Sequence, residues 1–369
     1  MNTTQRHPVI TETHTVLRTD RLSVLYGDTV ALNECSIEIP AQRVTVLIGP
    51  SGCGKSTTLR CFNGLVKPTS GTIHYEDASL RGDNETLLRR SMGYAIQSVG
   101  LMPHMTVEEN VDLVPRLLGW DSSERDSRVT ALLQLVRLDP DTYRKKYPSQ
   151  LSGGEAQRVG VARALGADPP VLLMDEPFGA VDPLTREELQ DEFIRIQRRL
   201  KKTVIFVTHD LDEAVRLADY LVIMKDGEIV QAQTPETILV APANEFVERF
   251  LGPDRALKRL TLFTADRCMD EPLYGDSDDA EAQLGACSDR CFWQVDSNGS
   301  PIHGFSISQG VLIGRAITDE SHTVQTYASV KECMSVILNL GLPAVAVVDE
   351  SGRLCGEVRF ETIQRISNG

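Results

Sequence analysis

The sequence predicts an α/β protein with a parallel main sheet covered on both faces, followed by a smaller α+β region. Short apolar runs of strand length occur at Arg43–Gly49, Val171–Phe178 and Thr203–His209, and each leads into a turn and a helical pattern. Strands buried on both faces read as such runs because helices cover the sheet on either side. The length of 369 residues suits two or three domains, and 41% hydrophobic residues suffice for buried cores.

The segments around these runs complete the order of elements. Residues 15–45 alternate apolar and polar side chains and are interrupted at Gly27 and Pro40, which predicts short antiparallel strands. The remaining pattern predicts a helix through Leu65, strands and turns over residues 68–95 with a short polar helix near Glu85–Arg90, helical structure from Thr106 to about Leu138, and helices at Leu184–Leu200 and from Leu211.

A second region begins where the pattern changes near Gly252 and Pro253. Asp266–Glu281 holds seven acidic residues and one basic residue, with a proline and turn residues, and is interpreted as a loop or linker. Phe292–Ile307 and Ala344–Val358 then share one pattern: an apolar strand, Val-Asp, a turn with glycine, and a second strand. Such an internal repeat predicts a separate C-terminal domain.

Composition narrows the function. The formal net charge of −14 disfavours nucleic acid and anionic lipid as partners. The N-terminus lacks the apolar segment of a signal peptide, and no run reaches the roughly 18 apolar residues of a membrane helix. Scattered cysteines suit free thiols in a reducing compartment, and Cys287 and Cys291, with Cys268 upstream, lack a second pair at zinc spacing.

A phosphate-binding loop is predicted at Gly49–Ser56. GPSGCGKS matches G-x-x-x-x-G-K-[ST] and follows a predicted strand, as that motif requires. Its glycines let backbone N–H groups surround phosphates, while Lys55 reaches the β- and γ-phosphates and the Ser56 hydroxyl binds Mg²⁺.

Candidate catalytic groups stand where two later strands end. Asp175 closes the run VLLM and is placed to hold Mg²⁺, and Glu176 can polarise a water for attack on the γ-phosphate. His209 closes TVIFVTH and could contact the γ-phosphate or orient that water. A second anion site is predicted at LSGGEAQRVGVARAL, Leu151–Leu165, where a serine and two glycines precede a helix.

Together these motifs resemble the ATPase subunit of ABC transporters, with a P-loop NTPase fold comprising a RecA-like core, an antiparallel β subdomain and a helical subdomain at about 98–165. The match covers about Val16–Phe250 and places the ATPase domain at 1–254; its D-loop reads GAVD where SALD is usual. The resemblance assigns Mg²⁺ binding to Ser56, Gln97 and Asp175, and catalysis to Lys55, Glu176 and His209. It places the signature motif at Ser152, Gly153, Gly154, Glu155 and Gln157 and the D-loop at Asp182. It assigns ATP binding to Tyr26, Gly49, Pro50, Ser51, Gly52, Cys53, Gly54, Lys55, Ser56, Thr57, Gln97 and Asp175.

The resemblance implies partners as well as cofactors. ATP and Mg²⁺ would be bound in a head-to-tail homodimer, with each ATP between one subunit's Walker A and the other's signature motif. Gln97 and the helices after it would report nucleotide state to membrane-spanning permease subunits, which hold the dimer at the cytoplasmic face of the plasma membrane. An extracytoplasmic solute-binding protein would be an indirect partner.

Residues 255–369 resemble a pair of CBS modules, a degenerate first unit at about 260–312 and a second at about 327–366. With the cassette, this pair resembles ATPase subunits of glycine betaine/choline/carnitine importers, which take up osmoprotectants. The aspartate that usually holds a ribose would fall on Gly310 and Thr362, so we expect a dimerising or regulatory pair that does not bind AMP by the usual contacts. A regulatory nucleotide, such as a cyclic dinucleotide, stays open.

Other functions are weighed against this one. An importer for another small polar solute, such as an amino acid, fits the same motifs. A soluble ABC ATPase of DNA repair or translation is disfavoured because the chain has one cassette and no long heptad run. A purely regulatory CBS protein is disfavoured by the intact Walker A motif, Asp175 and Glu176.

Overall fold

The computed structural model describes residues 15–75, 78–79, 89, 91–95, 100–179, 181–285 and 290–368. These residues form two compact units. The first runs to Ile238 and includes Ala243–Val247, and the second comprises Leu239–Pro242 and the chain from Glu248 onward. Among the described residues, no helix combines the length and the apolar composition needed to cross a membrane.

The first unit contains ten described strands and most of the helices. Its strands are β1 (Thr15–Tyr26), β2 (Thr29–Pro40), β3 (Val44–Ile48), β4 (Ser70–Tyr75), β5 (Ala78–Ser79), β6 (Met92–Ala95), β7 (Val171–Asp175), β8 (Thr203–Val207), β9 (Tyr220–Lys225) and β10 (Glu228–Gln233). The helices as far as residue 251 are α1 (Lys55–Phe62), α2 (Val107–Leu117), α3 (Ser122–Leu135), α4 (Pro140–Tyr143), α5 (Gly153–Leu165), α6 (Pro183–Leu200), α7 (Leu211–Leu217), α8 (Pro235–Val240) and α9 (Glu245–Leu251).

The central sheet has the strand order β10-β9-β3-β8-β7-β6. Its strands are parallel except β10, which pairs antiparallel with β9. Every residue of β3, β7 and β8 is buried, as the uninterrupted apolar runs predict. The predicted α/β fold is therefore confirmed, and the carboxyl ends of these strands meet at one edge of the sheet.

Two smaller parts flank this sheet in the first unit. The predicted antiparallel strands form a second sheet in the order β2-β1-β4-β5. The helices α2, α3 and α5 pack on one another and form the helical part. Thr106 and Glu109 cap the start of α2 reciprocally, because each side chain accepts a hydrogen bond from the other's backbone N–H. Helix α1 ends at Phe62, earlier than the predicted Leu65, and only Arg89 of the helix predicted near Glu85–Arg90 lies within the described residues.

The second unit is built from two related modules. Its strands are β11 (Leu273–Gly275), β12 (Phe292–Val295), β13 (Pro301–Ser308), β14 (Val311–Ala316), β15 (Val324–Gln325), β16 (Ala344–Val348) and β17 (Leu354–Arg359). Its helices are α10 (Arg255–Leu260), α11 (Ala265–Cys268), α12 (Ala280–Leu284), α13 (Val330–Leu340) and α14 (Phe360–Asn368).

Both modules follow the order strand, helix, strand, strand. In the first, β11 pairs parallel with β12, which forms a hairpin with β13. In the second, β15 pairs parallel with β16, which forms a hairpin with β17. The predicted repeat is therefore present. Each repeated unit is longer than the hairpin identified in the sequence, because a strand and a helix precede that hairpin.

The structure corrects two expectations for this unit. The acidic segment Asp266–Glu281 is not a linker, because it contains α11 and β11 and begins α12. Gly310 does not occupy the position equivalent to Thr362. Gln309 and Gly310 form a tight turn with positive φ between β13 and the extra strand β14, whereas Thr362 lies on helix α14. In addition, Leu260 and Ala265 belong to the core of the second module.

Candidate functional site

The loop after β3 is shaped by glycines that its own surroundings require. A Cβ on Gly49 would lie 2.1 Å from the backbone oxygen of Met224. A Cβ on Gly54, where φ is +103°, would lie 2.6 Å from the backbone oxygen of Ala31. A side chain at either position would force the backbone to move, so this loop conformation requires glycine at both positions. Pro50, Ser51, Gly52 and Cys53 lie in this loop, and Thr57 lies in the first turn of α1.

Lys55 begins α1 and lies across the loop. Its side chain is buried, and its Nζ donates to the backbone oxygens of Gly49, at 2.7 Å, and Pro50, at 3.0 Å. In the described part of the chain, no side chain caps the start of α1. The first amides of the helix are thus available to an anion, beside a buried ammonium group.

Ser56 and Asp175 meet at the end of β7. The Ser56 hydroxyl donates to Asp175 Oδ1 at 3.0 Å, although the two residues are far apart in sequence. Burial raises the pKa of Asp175, while the hydrogen bond from Ser56 and the nearby Arg60 and Lys55 lower it. A hydroxyl and a carboxylate placed side by side next to a phosphate loop fit Mg²⁺, which prefers oxygen ligands and shares them with phosphates.

Glu176 and His209 are brought together at the same edge. Glu176 adopts a left-handed backbone conformation, with φ of +45°, held by a hydrogen bond from its N–H to the oxygen of Val207 at 2.9 Å. Its Oε1 lies 3.2 Å from Nδ1 of His209. A non-glycine residue in this conformation costs about 1–3 kcal/mol and persists where the surroundings demand it. Here the turn directs the carboxylate toward the histidine.

The second predicted anion site forms a well-capped helix start. The Ser152 Oγ accepts from the Glu155 N–H at 3.3 Å, and the Glu155 carboxylate accepts from the Ser152 N–H at 2.7 Å and from the Tyr143 hydroxyl at 2.5 Å. Gly153 is exposed, with open space where a Cβ would stand, and Gln157 is buried on the same helix. Within the described residues, the hydrogen bonds of Ser152 and Glu155 stay among these neighbours and none reaches the phosphate loop.

The remaining predicted residues lie at element ends. Tyr26 ends β1 before the turn at Gly27, and its side chain is 52% exposed, as a stacking platform for a planar ligand requires. Asp182 caps α6 by accepting from the Thr185 N–H at 3.0 Å. Gln97 and Cys287 lie outside the described residues, and the described residues contain no cluster of His, Cys, Asp and Glu that could hold a metal ion.

Sequence reasoning missed three charged residues around Glu176 and His209. Arg186, Asp210 and Glu213 line the same pocket as these two. The acidic run in HDLDEA, immediately after the candidate histidine, was an available signal, since acidic residues are typical of the first turn of a helix. Arg186 lies on α6 and contacts the pocket only through the tertiary fold.

Comparisons with known proteins identify the family. The family model described as ABC transporter matches residues 32–179. The chain is 41% identical over 360 residues to the glycine betaine/carnitine/choline transport ATP-binding protein OpuCA of Bacillus subtilis, covering 93% of this chain and 94% of the relative. It is 40% identical over 350 residues to the osmoprotectant import ATP-binding protein OsmV of Salmonella typhimurium, with 90% of each chain covered.

A solved structure extends the likeness to three dimensions. The dimeric ABC transporter cassette MJ0796 superposes with a TM-score of 0.54 and 32% identity, covering 59% of this chain and 98% of that one. The chain therefore belongs to the ATP-binding subunits of ABC transporters, a family of ATPases.

Proposed function

We propose that this chain is the ATP-hydrolysing, energy-coupling subunit of an importer for quaternary ammonium osmoprotectants. The observation that carries the proposal is the meeting of Lys55, Ser56, Asp175, Glu176 and His209 at one edge of the central sheet. Relatives named for glycine betaine/carnitine/choline transport and for osmoprotectant import, similar over nine tenths of the chain, support the solute class. An importer for another small polar solute, such as an amino acid, is the alternative.

The loop residues have separate tasks in this proposal. Backbone N–H groups of the loop and Lys55 bind the phosphates of ATP, in place of the carbonyl oxygens that Lys55 contacts here. Ser56 and Asp175 would hold Mg²⁺, which neutralises charge on the phosphates. Tyr26 stacks on the adenine. Gln97 is proposed as a further nucleotide and Mg²⁺ contact.

Glu176 and His209 act on the attacking water. The Glu176 carboxylate accepts a proton from the water as its oxygen attacks the γ-phosphorus, and the bond to the bridging oxygen breaks to leave ADP. His209, 3.2 Å from Glu176, orients that carboxylate and contacts the γ-phosphate. Removal of either side chain should slow hydrolysis far more than it weakens ATP binding.

The complete site requires a second copy of the chain. Ser152 and Gly153 are exposed at the start of α5, where the free amides and positive end of a helix suit a phosphate. We place them against the ATP held by the partner's phosphate loop, in a head-to-tail homodimer that ATP closes and hydrolysis reopens. The similar cassette MJ0796 is described as dimeric, which supports this arrangement. Asp182 belongs to the same interface.

The further partners follow from the transport function. Membrane-spanning permease subunits would bind the helical part and hold the ATPase at the cytoplasmic face of the plasma membrane, and an extracytoplasmic binding protein would deliver the solute. The ATPase domain is proposed to cover 1–254, and 255–369 to form a regulatory pair of CBS-like modules. The repeated strand-helix-strand-strand order supports that pairing.

Solute uptake in cells tests the proposal. Cells that lack their own copy would receive the wild-type chain, Glu176→Gln or Glu187→Gln, an exposed control on α6. We expect radiolabelled glycine betaine to enter with the wild type and the control but not with Glu176→Gln, whose dimers hold ATP without turnover. Competition by choline, carnitine, proline and amino acids ranks the solutes. Normal turnover by Glu176→Gln would remove Glu176 from the role of base.

A further inference from the structure

Two side-chain contacts between α6 and the start of α7 involve residues that line the pocket of Glu176 and His209. The Gln190 amide donates from Nε2 to Glu213 Oε1 at 3.1 Å. One turn earlier on α6, Arg186 Nη1 lies 3.7 Å from Asp210 Oδ2. Residues four apart on one helix thus face residues three apart on the other, so the two contacts fix both the spacing and the rotation of the helices.

The first pair is buried. Gln190 is 5% exposed and Glu213 is 6% exposed. Burial raises the pKa of Glu213, while hydrogen bonds from Thr208 and Gln190 lower it. A buried carboxyl group whose hydrogen-bond partners come from two other segments is costly to misplace, because any shift leaves a polar group without its partner. The Gln190–Glu213 hydrogen bond therefore favours a single relative position of α6 and α7.

Both contacts end beside His209. Thr208, which bonds Glu213, precedes the histidine, and Asp210, which faces Arg186, follows it. Asp210 also caps α7 by accepting from the N–H groups of Asp212, at 2.9 Å, and Glu213, at 3.2 Å. The backbone on either side of His209 is thus tied to α6.

The start of α6 adjoins the D-loop. Asp182 caps the helix, and Arg186 Nη2 donates to the backbone oxygen of Val181 at 3.0 Å. Arg186 thereby contacts both the D-loop and the residue after His209. Helix α6 therefore contacts both the proposed dimer interface and the segment that carries His209 of the same subunit.

We propose that Gln190 and Glu213 are positioning residues that hold His209 in the arrangement needed for hydrolysis. They do not touch the nucleotide. They fix the Thr208–Asp210 backbone against α6, so that His209 stays 3.2 Å from Glu176 and moves together with the D-loop. The inference rests on the proposed ATPase mechanism, and it adds residues that the motifs do not include.

A pair of substitutions tests the role. Gln190→Glu sets two carboxyl groups against each other in a buried place, beside Arg216, whose Nη1 donates to Gln190 Oε1 at 3.1 Å. Gln190→Glu combined with Glu213→Gln restores one amide and one carboxyl and keeps an oxygen acceptor for Arg216. We expect the single variant to lower kcat at least about tenfold, since small misplacements of reacting groups cost up to about a hundredfold. KM and the ATP-binding stoichiometry should stay within about twofold, and the double variant should recover most of kcat.

Asp191→Asn is the matched control. It removes the charge from the 2.7 Å ion pair between Asp191 and Arg216 at the exposed side of the same two helices, while Arg216 keeps its 3.1 Å hydrogen bond to Gln190 Oε1. Its kcat should equal that of the wild type, because exposed ion pairs contribute about 0–1 kcal/mol. All measurements use the full chain, with thermal unfolding recorded for each variant.

Three results would overturn the inference. These are a wild-type kcat for Gln190→Glu, a loss of kcat that only follows a loss of ATP-binding stoichiometry, or a double variant as slow as the single one. A wild-type chain that does not hydrolyse ATP would instead refute the proposed function, so the two failures are distinguishable.

Discussion

At the scale of single residues, the glycines of the two predicted anion-binding segments differ in their surroundings. At Gly49 the chain itself excludes a side chain, because a Cβ would stand 2.1 Å from the Met224 oxygen. At Gly153, in the first turn of α5, no described residue outside its own helix and chain neighbours lies within 4 Å of a Cβ. We propose that glycine serves there to let a phosphate approach from a second subunit.

Gly153→Ala should separate folding from catalysis. Alanine in a helix is about 0.5–1 kcal/mol more favourable than glycine, so the thermal unfolding temperature should stay the same or rise. ATP hydrolysis should fall at least about tenfold, because the methyl group would meet the phosphate in the closed dimer, while ATP binding to the monomer is retained. Steady-state kinetics and calorimetry measure the two effects.

Gly49→Ala is the contrasting variant, and it should lower the unfolding temperature and ATP binding together. Full hydrolysis by Gly153→Ala would contradict the proposed approach of a phosphate to this helix.

At the scale of elements, α5 is a helix whose first turn has both a structural and a proposed catalytic task. The reciprocal hydrogen bonds of Ser152 and Glu155 stabilise the helix start, and the Tyr143 hydroxyl holds the Glu155 carboxylate from the side. Loss of such a cap costs about 1 kcal/mol. This cost must be separated from any effect on the dimer.

Ser152→Arg tests the two-subunit site. We expect the monomer to bind ATP normally, because within the described part of the chain Ser152 makes no hydrogen bond to the phosphate loop. The bulky cation should block closure, so that neither ATP-dependent dimerisation nor hydrolysis is detected. Light scattering with ATP and a phosphate-release assay measure these properties.

Ser152→Ala serves as the control, since it loses the same cap of about 1 kcal/mol but adds no bulk. It should unfold at the same temperature as Ser152→Arg and still dimerise with ATP. Normal hydrolysis by Ser152→Arg would show that the site does not span two subunits.

At the scale of the whole molecule, the second unit has its own charged centre between its two modules. Glu357 of the second module is fully buried, and its carboxylate accepts from Trp293 Nε1 of the first module at 3.1 Å. Arg290 and Arg359 lie 3.4 and 3.3 Å from the same carboxylate. Burial raises the pKa of Glu357, and these three neighbours lower it. The modules are thus joined by a buried carboxylate that has polar partners in both of them.

Glu357→Gln should destabilise this unit. The change keeps the size of the side chain but leaves two arginines without their shared anion. Breaking a buried ion pair costs about 3–5 kcal/mol, and we expect about 2 kcal/mol here because both arginines reach solvent. Denaturant unfolding followed by Trp293 fluorescence, in a Trp120→Phe background that removes the only other tryptophan, measures the loss.

Glu361→Gln, an exposed change on α14, is the control and should leave the transition within about 0.5 kcal/mol of the parent. An unchanged midpoint for Glu357→Gln would show that the carboxylate does not join the modules.

Local patterns in the sequence were sufficient for several parts of this protein. The uninterrupted apolar runs and the serine-capped helix depend on neighbouring residues, and the structure contains the strands and the helix start at these places. The phosphate-loop spacing is local in the same way. The hairpin repeat could be predicted as well, because each hairpin pattern is formed by neighbouring residues. The acidic segment Asp266–Glu281 was interpreted as a loop or linker because of its composition. Composition indicates that a segment is polar, but it does not reveal the pairing of β11 with β12.

Only the tertiary structure decided which distant side chains meet. The Ser56–Asp175 hydrogen bond, the Gln190–Glu213 pair and the contact of Trp293 with Glu357 join segments that are separate in the chain. Such contacts depend on strand order, helix rotation and burial, and no local pattern specifies these. A buried polar group gains its partner only when the whole fold closes around it. Ser56 and Asp175 were each predicted as site residues from local motifs, whereas the Gln190–Glu213 and Trp293–Glu357 contacts were not predicted.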